Sequence, residues 1–254
     1  MTWLEIVAVF VAGIAAGGIN TVVGSGTLIT FPVLLAVGLP PVTANVSNTV
    51  GLVPGSLSGV IGYRRELAGQ RARLLRFSVA SLLGAALGAV LLLTLPAGAF
   101  AAIVPVLIIA ALVLVVVQPR LAAWVRERQR ESDNAPTHGG PLLLAAIFGT
   151  GIYGGYFGAA QGVLLLGLLG VFVHEDIQRL NAVKNVLALL VNALSAAIFI
   201  AVAEIDWRVV GLIAAGSIIG GQLGARVGRR LPPNVLRAVI VVVGTIAVLR
   251  LLFG

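Results

Sequence analysis

One helical face in the second half of the chain carries the residues best suited to bind a charged ligand. Lys184 is the only lysine in the sequence, and Asn181, Asn185, Asn192 and Ser195 share a face with it at helical spacing. An ionisable group inside an apolar run is costly in a membrane and is by default a candidate functional group. We therefore expect Lys184 to contact a ligand. The alternative is that it lies near a helix end and extends its ammonium group to the membrane surface.

The acidic residues give the sign of the expected ligand. All nine Asp and Glu residues lie in loops or near the ends of apolar runs. A cation carrier or a carboxylate proton relay would normally place one of them inside the membrane. A buried lysine with amide groups and exposed backbone N–H groups suits an anion instead. We therefore predict a small anion as the substrate.

Two glycine-interrupted apolar stretches, Ala15–Pro40 and Thr150–His174, must position these groups. The first break is Gly24-Ser25-Gly26, and the second break is Ala160-Gln161-Gly162. A short apolar run of about a dozen residues follows each break, too short for the roughly 20 residues of a spanning helix. Short, glycine-interrupted segments at matching positions in two halves indicate the binding site of a transporter.

The predicted site combines both breaks with the polar helix that follows each of them. Glycine lets the backbone approach a ligand closely, and the N-terminus of a helix attracts anions. We expect the two breaks to meet near the membrane midplane and to flank one anion, with both short helices aiming free N–H groups at it. The predicted binding residues are Asn20, Gly24, Ser25, Gly26, Thr27, Asn45, Asn48, Gln161, Gly162, Asn181, Lys184 and Asn185.

Composition assigns the chain to membrane proteins. It is 59% hydrophobic and 10% charged, with a mean hydropathy of +1.09, whereas soluble domains are about 25% charged. We predict an all-α, polytopic bundle in the cytoplasmic membrane, without a cleaved signal peptide. The net charge of +8 reflects arginine clusters in loops, which orient membrane proteins, rather than nucleic-acid binding. The ten predicted segments are Trp3–Val23, Thr27–Gly38, Val42–Tyr63, Leu74–Leu95, Ala99–Val117, Pro141–Ala159, Val163–Val173, Ile177–Ala203, Val209–Gly228 and Val235–Phe253.

The two halves of the chain repeat each other at a shift of 136 positions. Small residues keep this register throughout, and loops at corresponding positions carry opposite charge, which predicts inverted topology if positive loops stay inside. We predict a first transmembrane repeat in residues 1–118, a cytoplasmic linker in 119–140 with a short helix near Trp124 and a mobile loop, and an inverted repeat in 141–254. Both termini are then outside. Corresponding pairs are Gly13 and Gly149, Gly26 and Gly162, Ser81 and Ser217, and Gly84 and Gly220.

Several motifs resemble the TauE/SafE sulfite-exporter family of bacterial and archaeal permeases. They are the first break with Pro32 downstream, the segment TANVSNTVG, and GGYFGAAQG with LNAVKN in the second half. The arrangement covers essentially the whole chain. The resemblance implies secondary transport of small sulfur oxyanions or organosulfonates. The chain departs from the commoner triple-glycine break at Ser25 and at Ala160 and Gln161.

We therefore predict a secondary transporter, not an enzyme, that moves sulfite or an organosulfonate by alternating access. A passive channel through the same broken helices is the first alternative. An intramembrane hydrolase that uses Ser25 is the second, although no spanning segment holds a histidine to serve as its base. We expect no cofactor and no metal, because His138 and His174 each lack a second histidine at metal-ligand spacing. The expected partners are the anion and the lipid bilayer; a homo-oligomer is compatible with the sequence.

Overall fold

The computed structural model describes residues 1–131 and 140–227, and residues 238, 240–243, 245, 246 and 249 near the C-terminus. This part of the chain is helical apart from short turns and loops, and it contains no strand. The predicted segment Val235–Phe253 and the predicted linker loop fall largely outside the described residues. The helices are α1 (Trp3–Val22), α2 (Thr27–Ala36), α3 (Pro41–Gly62), α4 (Arg71–Thr94), α5 (Ala97–Glu131), α6 (Pro141–Tyr156), α7 (Gln161–Phe172), α8 (Ile177–Val202) and α9 (Trp207–Val227).

Five of these helices are long and apolar enough to cross a membrane. They comprise α1, α4, residues Gly98–Arg120 of α5, α8, and residues Trp207–Arg226 of α9. Large apolar side chains on their outward faces, such as Val79, Leu83 and Val106, are exposed, as contact with lipid requires. The prediction of an all-α, polytopic membrane bundle is confirmed. Helix α3 is continuous over 22 residues, but polar side chains interrupt its apolar sequence, and it is not among these five.

The two short helices follow the two breaks, as predicted. Helix α2 has 10 residues and α7 has 12. Before α2 the backbone turns through Gly24, which has a φ of +89°, a conformation that favours glycine. Before α7 it turns through Gly158 at +75° and through Ala160 at +58°, which is uncommon for a residue with a side chain. The local sequence therefore ends α1 and α6 inside the bundle.

Small residues allow the helices to pack closely. Helix α1 packs against α9, and α4 packs against α6. A Cβ atom on Gly84 would lie 2.2 Å from the carbonyl oxygen of Phe148, and one on Gly220 would lie 1.9 Å from that of Ile14. These two glycines therefore allow neighbouring helices to approach more closely than any larger residue would permit. The two helix pairs are those that a repeat of α1–α4 in α6–α9 would produce; the inverted orientation of the halves stays a prediction.

The fifth helix is longer than the sequence analysis predicted. It continues through Pro119 to Glu131 without a break. The short helix expected near Trp124 is therefore the C-terminal part of α5 and not a separate element. This helical part directly follows residue 118, where the first repeat is predicted to end.

Candidate functional site

Lys184 is buried at the carbonyl end of α1. Its side chain is 0% exposed, and Nζ donates hydrogen bonds to the carbonyl oxygens of Asn20 at 3.1 Å and Thr21 at 3.3 Å. The last carbonyls of a helix lack intrahelical partners and carry its negative dipole end, so they are suitable acceptors for an ammonium group. No carboxylate of the described residues pairs with Lys184. The alternative that Lys184 extends to the membrane surface is wrong for this structure.

Two asparagines on the same face of α8 share an acceptor with Lys184. The Nδ2 groups of Asn181 and Asn185 each donate to the carbonyl oxygen of Thr21 at 3.3 Å. This oxygen therefore has three donors but two lone pairs. All three bonds are long, and one donor can turn to a ligand while the others still satisfy the carbonyl. The structure thus brings together the three residues of α8 that the sequence placed in the site.

The polar helix of the first half makes the corresponding contact with the second half. Asn45 in α3 donates from Nδ2 to the carbonyl oxygen of Tyr156, the last residue of α6, at 3.0 Å. Asn48, one turn later, donates to the hydroxyl of Thr27 at 3.3 Å. Each polar helix therefore caps the broken helix of the other half. These caps hold the four helices α1, α3, α6 and α8 in one polar cluster.

The two breaks meet, as predicted. The amide N–H of Gly162 donates to the carbonyl oxygen of Gly24 at 3.0 Å. A Cβ atom on Gly24 would lie 2.4 Å from the Cα atom of Gly162, so the two backbones are in direct contact. The space between these glycines is therefore too small for an ion. The expectation that one anion lies between the two breaks needs correction, because the glycines provide contact between backbones and not a gap.

The N-terminus of α7 has no free donors. The N–H of Gln161 bonds to the carbonyl of Gly158 at 3.2 Å, and the N–H of Val163 bonds to that of Ala160 at 3.0 Å. The N–H between them belongs to Gly162 and is used by Gly24. The left-handed turn before α7 therefore satisfies its own first amides. The expectation that both short helices aim free N–H groups at a ligand is not met at the second break.

The N-terminus of α2 remains open. In the described part of the chain, the backbone N–H groups of Ser25, Gly26 and Thr27 have no hydrogen-bond acceptor. The hydroxyl of Ser25 is also without a partner, although this residue is only 1% exposed. Buried donors without partners are rare in proteins. Successive free N–H groups at the start of a helix form a concave site for an anion.

Other buried polar atoms around the breaks also lack partners within the described residues. The amide orientation of Asn45 and Asn181 is set by their carbonyl partners, so their Oδ1 atoms point elsewhere as acceptors. The partner of Asn48 is the hydroxyl of Thr27, which can accept or donate and so does not fix the orientation of the Asn48 amide. The unpartnered side-chain atoms near the breaks are Oδ1 of Asn45, Asn48 and Asn181, and Nε2 of Gln161.

Asn20 lies at the edge of this cluster. Its amide donates to the hydroxyl of Ser56 at 3.5 Å, and Asn192 donates to the same hydroxyl at 3.4 Å. Asn20 therefore joins the site chiefly through its backbone carbonyl. The sequence analysis missed Thr21 and Tyr156, which contribute carbonyl groups. Their only signal was their position in the last turn before a break.

The two ends of the bundle differ. At one end an ionic cluster of Arg73, Glu175 and Arg179 joins the two halves, with Nη1 of Arg73 at 3.2 Å and Nε of Arg179 at 2.9 Å from the carboxylate. Arg179 also donates to the carbonyl of Ala68 at 3.0 Å. At the other end an open cavity of about 440 Å³ lies between the ends of α3, α4 and α8. It is lined by Pro40, Pro41, Val42, Thr43, Leu92, Leu93, Leu95, Ala203 and Glu204.

Comparison with known proteins decides the family. The sequence pattern of the family described as Sulfite exporter TauE/SafE matches residues 9–251. The chain belongs to the TauE/SafE family. It is therefore a membrane transporter by family and not an enzyme.

Curated relatives of this TauE/SafE chain align over nearly its full length. A probable membrane transporter protein of Haemophilus influenzae is 27% identical over 246 residues, which cover 96% of this chain and 93% of that protein. The probable membrane transporter protein YfcA of Escherichia coli K12 is 27% identical over 252 residues, covering 96% and 88%. The probable membrane transporter protein ORF9 of a Sinorhizobium species is 27% identical over 243 residues, covering 96% and 90%. No solved structure is significantly similar to this chain.

Proposed function

We propose that this protein is a secondary transporter that carries a small anion across the cytoplasmic membrane by alternating access. Sulfite or an organosulfonate is the expected substrate, since the family is described as a sulfite exporter. The relatives are described as membrane transporters, without a substrate. The family therefore indicates the substrate class, and the geometry indicates the binding site.

The open N-terminus of α2 carries the proposal. Three consecutive N–H groups, from Ser25 to Thr27, have no acceptor among the described residues, and the buried hydroxyl of Ser25 adds a fourth donor. Donors arranged in this way bind oxyanions. Desolvated donors without partners destabilise the empty protein, so a bound oxyanion would remove that cost.

Lys184 supplies the positive charge for this site. Two of its three hydrogens point to carbonyls of α1, which leaves one for a ligand. Its side chain also lies against the second break, because a Cβ atom on Gly162 would be 3.1 Å from Cδ of Lys184. Gly162 in turn contacts Gly24 of the first break. Asn48, held by Thr27, and Gln161, with a free Nε2, border the same region. We assign the anion to the first break, with the second break as its wall.

The difference between the two ends supports alternating access. The ionic cluster lies at the end that the arginine distribution predicts to be cytoplasmic, and the open cavity lies at the opposite end. A carrier in an outward-facing state would show this arrangement. Inward opening would require the contact between Arg73 and Glu175 to break. We propose that this contact closes the cytoplasmic end.

Flux into liposomes that contain the purified protein tests the function. Saturable, anion-selective uptake of sulfite supports a carrier, a linear dependence on concentration indicates a channel, and substrate cleavage without flux indicates a hydrolase. A hydrogen bond to a charged group contributes about 1.5–3 kcal/mol. Ser25→Ala should therefore weaken apparent sulfite affinity by about tenfold or more.

Ser81→Ala is the matched control for this substitution. Ser81 is also fully buried with an unpartnered hydroxyl, but it lies in α4 beside α6 and away from the first break. It should leave the sulfite affinity unchanged. Equal effects of the two substitutions would contradict the assignment of the site.

A further inference from the structure

Few charged side chains are buried in the described part of the bundle. Among the described residues, Lys184 and Arg73 are the only charged side chains in the buried class. Arg73 belongs to the ionic cluster at one end and contacts Glu175. The remaining buried polar side chains around the breaks are neutral amides and hydroxyls. The polar cluster at the breaks therefore carries a single positive charge.

The ammonium group occupies a position that suits a free cation. In transporters with broken helices, the carbonyl ends of half-helices coordinate sodium ions or protons. Here the carbonyl oxygens of Asn20 and Thr21 are bound by Nζ of Lys184, at 3.1 and 3.3 Å. The ammonium group of Lys184 thus occupies the carbonyl end of α1 as a cation that is part of the chain. A metal ion at the same carbonyls would have to displace the ammonium group.

Charge balance then limits the ligand. We propose that Lys184 restricts the transported ion to a single negative charge and takes the place of a metal co-ion. This inference rests on the proposed function and deepens it. A monoanion beside Lys184, such as hydrogensulfite (the singly protonated form of sulfite) or an organosulfonate, makes the occupied site neutral. A dianion would leave one negative charge buried without compensation, which is costly in a low-dielectric interior.

The absence of a carboxylate cluster supports the second half of the proposal. No group of three or more His, Cys, Asp or Glu residues in the described part of the chain could hold a metal ion. A sodium site would therefore have to use neutral oxygens. The carbonyls at the end of α1 are the natural choice, and Lys184 already fills them.

Competition between two tetrahedral sulfur oxyanions tests the charge limit. Methanesulfonate carries one negative charge and sulfate carries two. In liposomes, methanesulfonate should inhibit sulfite uptake at a concentration at least tenfold below that needed for sulfate. Lys184→Arg keeps the charge and should keep this preference. Equal inhibition by the two ions in the unmodified protein would overturn the charge limit.

Thermal unfolding in detergent tests the second half without any transport. At constant ionic strength, the unfolding temperature of the unmodified protein should be the same in sodium and choline chloride. Lys184→Ala exposes the carbonyl end of α1, so sodium should stabilise this variant in a saturable manner. If Lys184→Ala does not fold, Lys184→Gln shortens the side chain and removes the charge. Saturable stabilisation of the unmodified protein by sodium would overturn the proposal.

The two experiments separate failure of this inference from failure of the proposed function. Absence of flux for every anion would contradict the proposed function while the sodium measurement still stands. Anion flux that requires sodium, or that uses sulfate as readily as methanesulfonate, would contradict only the inference. The unmodified protein provides a decisive result in both cases.

Discussion

The amide N–H of Gly162 donates a 3.0 Å hydrogen bond to the carbonyl oxygen of Gly24. The bond joins the two breaks, which lie far apart in the sequence. It also makes them unequal, because it uses a donor at the start of α7 and none at the start of α2. The two breaks therefore differ in the number of N–H groups without an acceptor, although their sequences look alike.

We expect Gly162→Ala to lower stability and transport together. The added Cβ atom would lie 2.5 Å from the Cα atom of Gly24, and the backbone cannot move away as a flexible side chain could. Gly26→Ala should have the same effect, since a Cβ atom on Gly26 would also meet backbone, 2.4 Å from the carbonyl oxygen of Ala16.

Gly211→Ala provides the control for this substitution. A Cβ atom on Gly211, in α9, meets nothing within 4 Å. Alanine should therefore stabilise the helix by about 0.5–1 kcal/mol, since it has the higher helix propensity. Thermal unfolding and sulfite flux of both variants give the comparison. A Gly162→Ala protein with unchanged unfolding temperature would show that the two breaks separate easily.

The sequence predicted most of this architecture because its signals are local. Apolar runs, glycine breaks and helical spacing placed α1 to α9 and put Lys184 beside Asn181 and Asn185. The partners of these side chains could not be predicted, since a backbone carbonyl is chemically the same at every residue. The difference between the two breaks could not be predicted either, because it depends on a tertiary contact between two backbones. The amide of Asn20 likewise turned to Ser56, for which no pattern was visible.

Asn45→Ala should destabilise the protein by about 1–3 kcal/mol. It removes the donor that caps the buried carbonyl of Tyr156 at 3.0 Å, and an unsatisfied buried acceptor has a cost of this size. Asn192→Ala is the control, since Asn192 is partly exposed and its bond to Ser56 is 3.4 Å long. Thermal unfolding in detergent measures both. A larger effect at Asn192 would contradict the capping role of Asn45.

Lys184→Ala should weaken sulfite affinity by about 30-fold or more. Removal of one partner of a buried charge interaction costs about 2–5 kcal/mol, which corresponds to that factor. Lys184→Arg should restore affinity only in part, because a planar guanidinium does not replace a compact ammonium group. Binding of sulfite to the purified protein is the measurement. A change within about twofold for Lys184→Ala would leave the N–H groups at the start of α2 as the whole site.

Cysteine labelling tests the predicted topology directly, since the protein has no native cysteine. Ala123→Cys, on the exposed side of α5, should react with an impermeant reagent only after the cells are opened. Gly98→Cys, at the other end of α5, should react in intact cells, because the space around it is open. Ser132→Cys, at a position outside the described residues, should show the same labelling as Ala123→Cys. Strong labelling at Ala123 in intact cells would reverse the orientation.

The ionic cluster gives the last prediction. Glu175 accepts from Arg73 at 3.2 Å and from Arg179 at 2.9 Å, and Arg73 is buried. Exposed ion pairs contribute about 0–1 kcal/mol to stability, and removal of one partner of a buried pair costs about 3–5 kcal/mol. The pair of Arg73 and Glu175 is intermediate in burial between these two cases. Glu175→Gln should therefore lower stability by about 2 kcal/mol. Glu204→Gln is the control, since Glu204 is exposed and forms no ion pair among the described residues.

Transport measurements show whether the contact between Arg73 and Glu175 is a gate or is purely structural. If the cluster closes the predicted cytoplasmic end, Glu175→Gln should change the maximal rate of sulfite flux as well as stability, because it shifts the balance between the two open states. The exchanged pair Arg73→Glu with Glu175→Arg should recover part of both. Loss of stability with an unchanged maximal rate would show that the contact between Arg73 and Glu175 only holds the halves together.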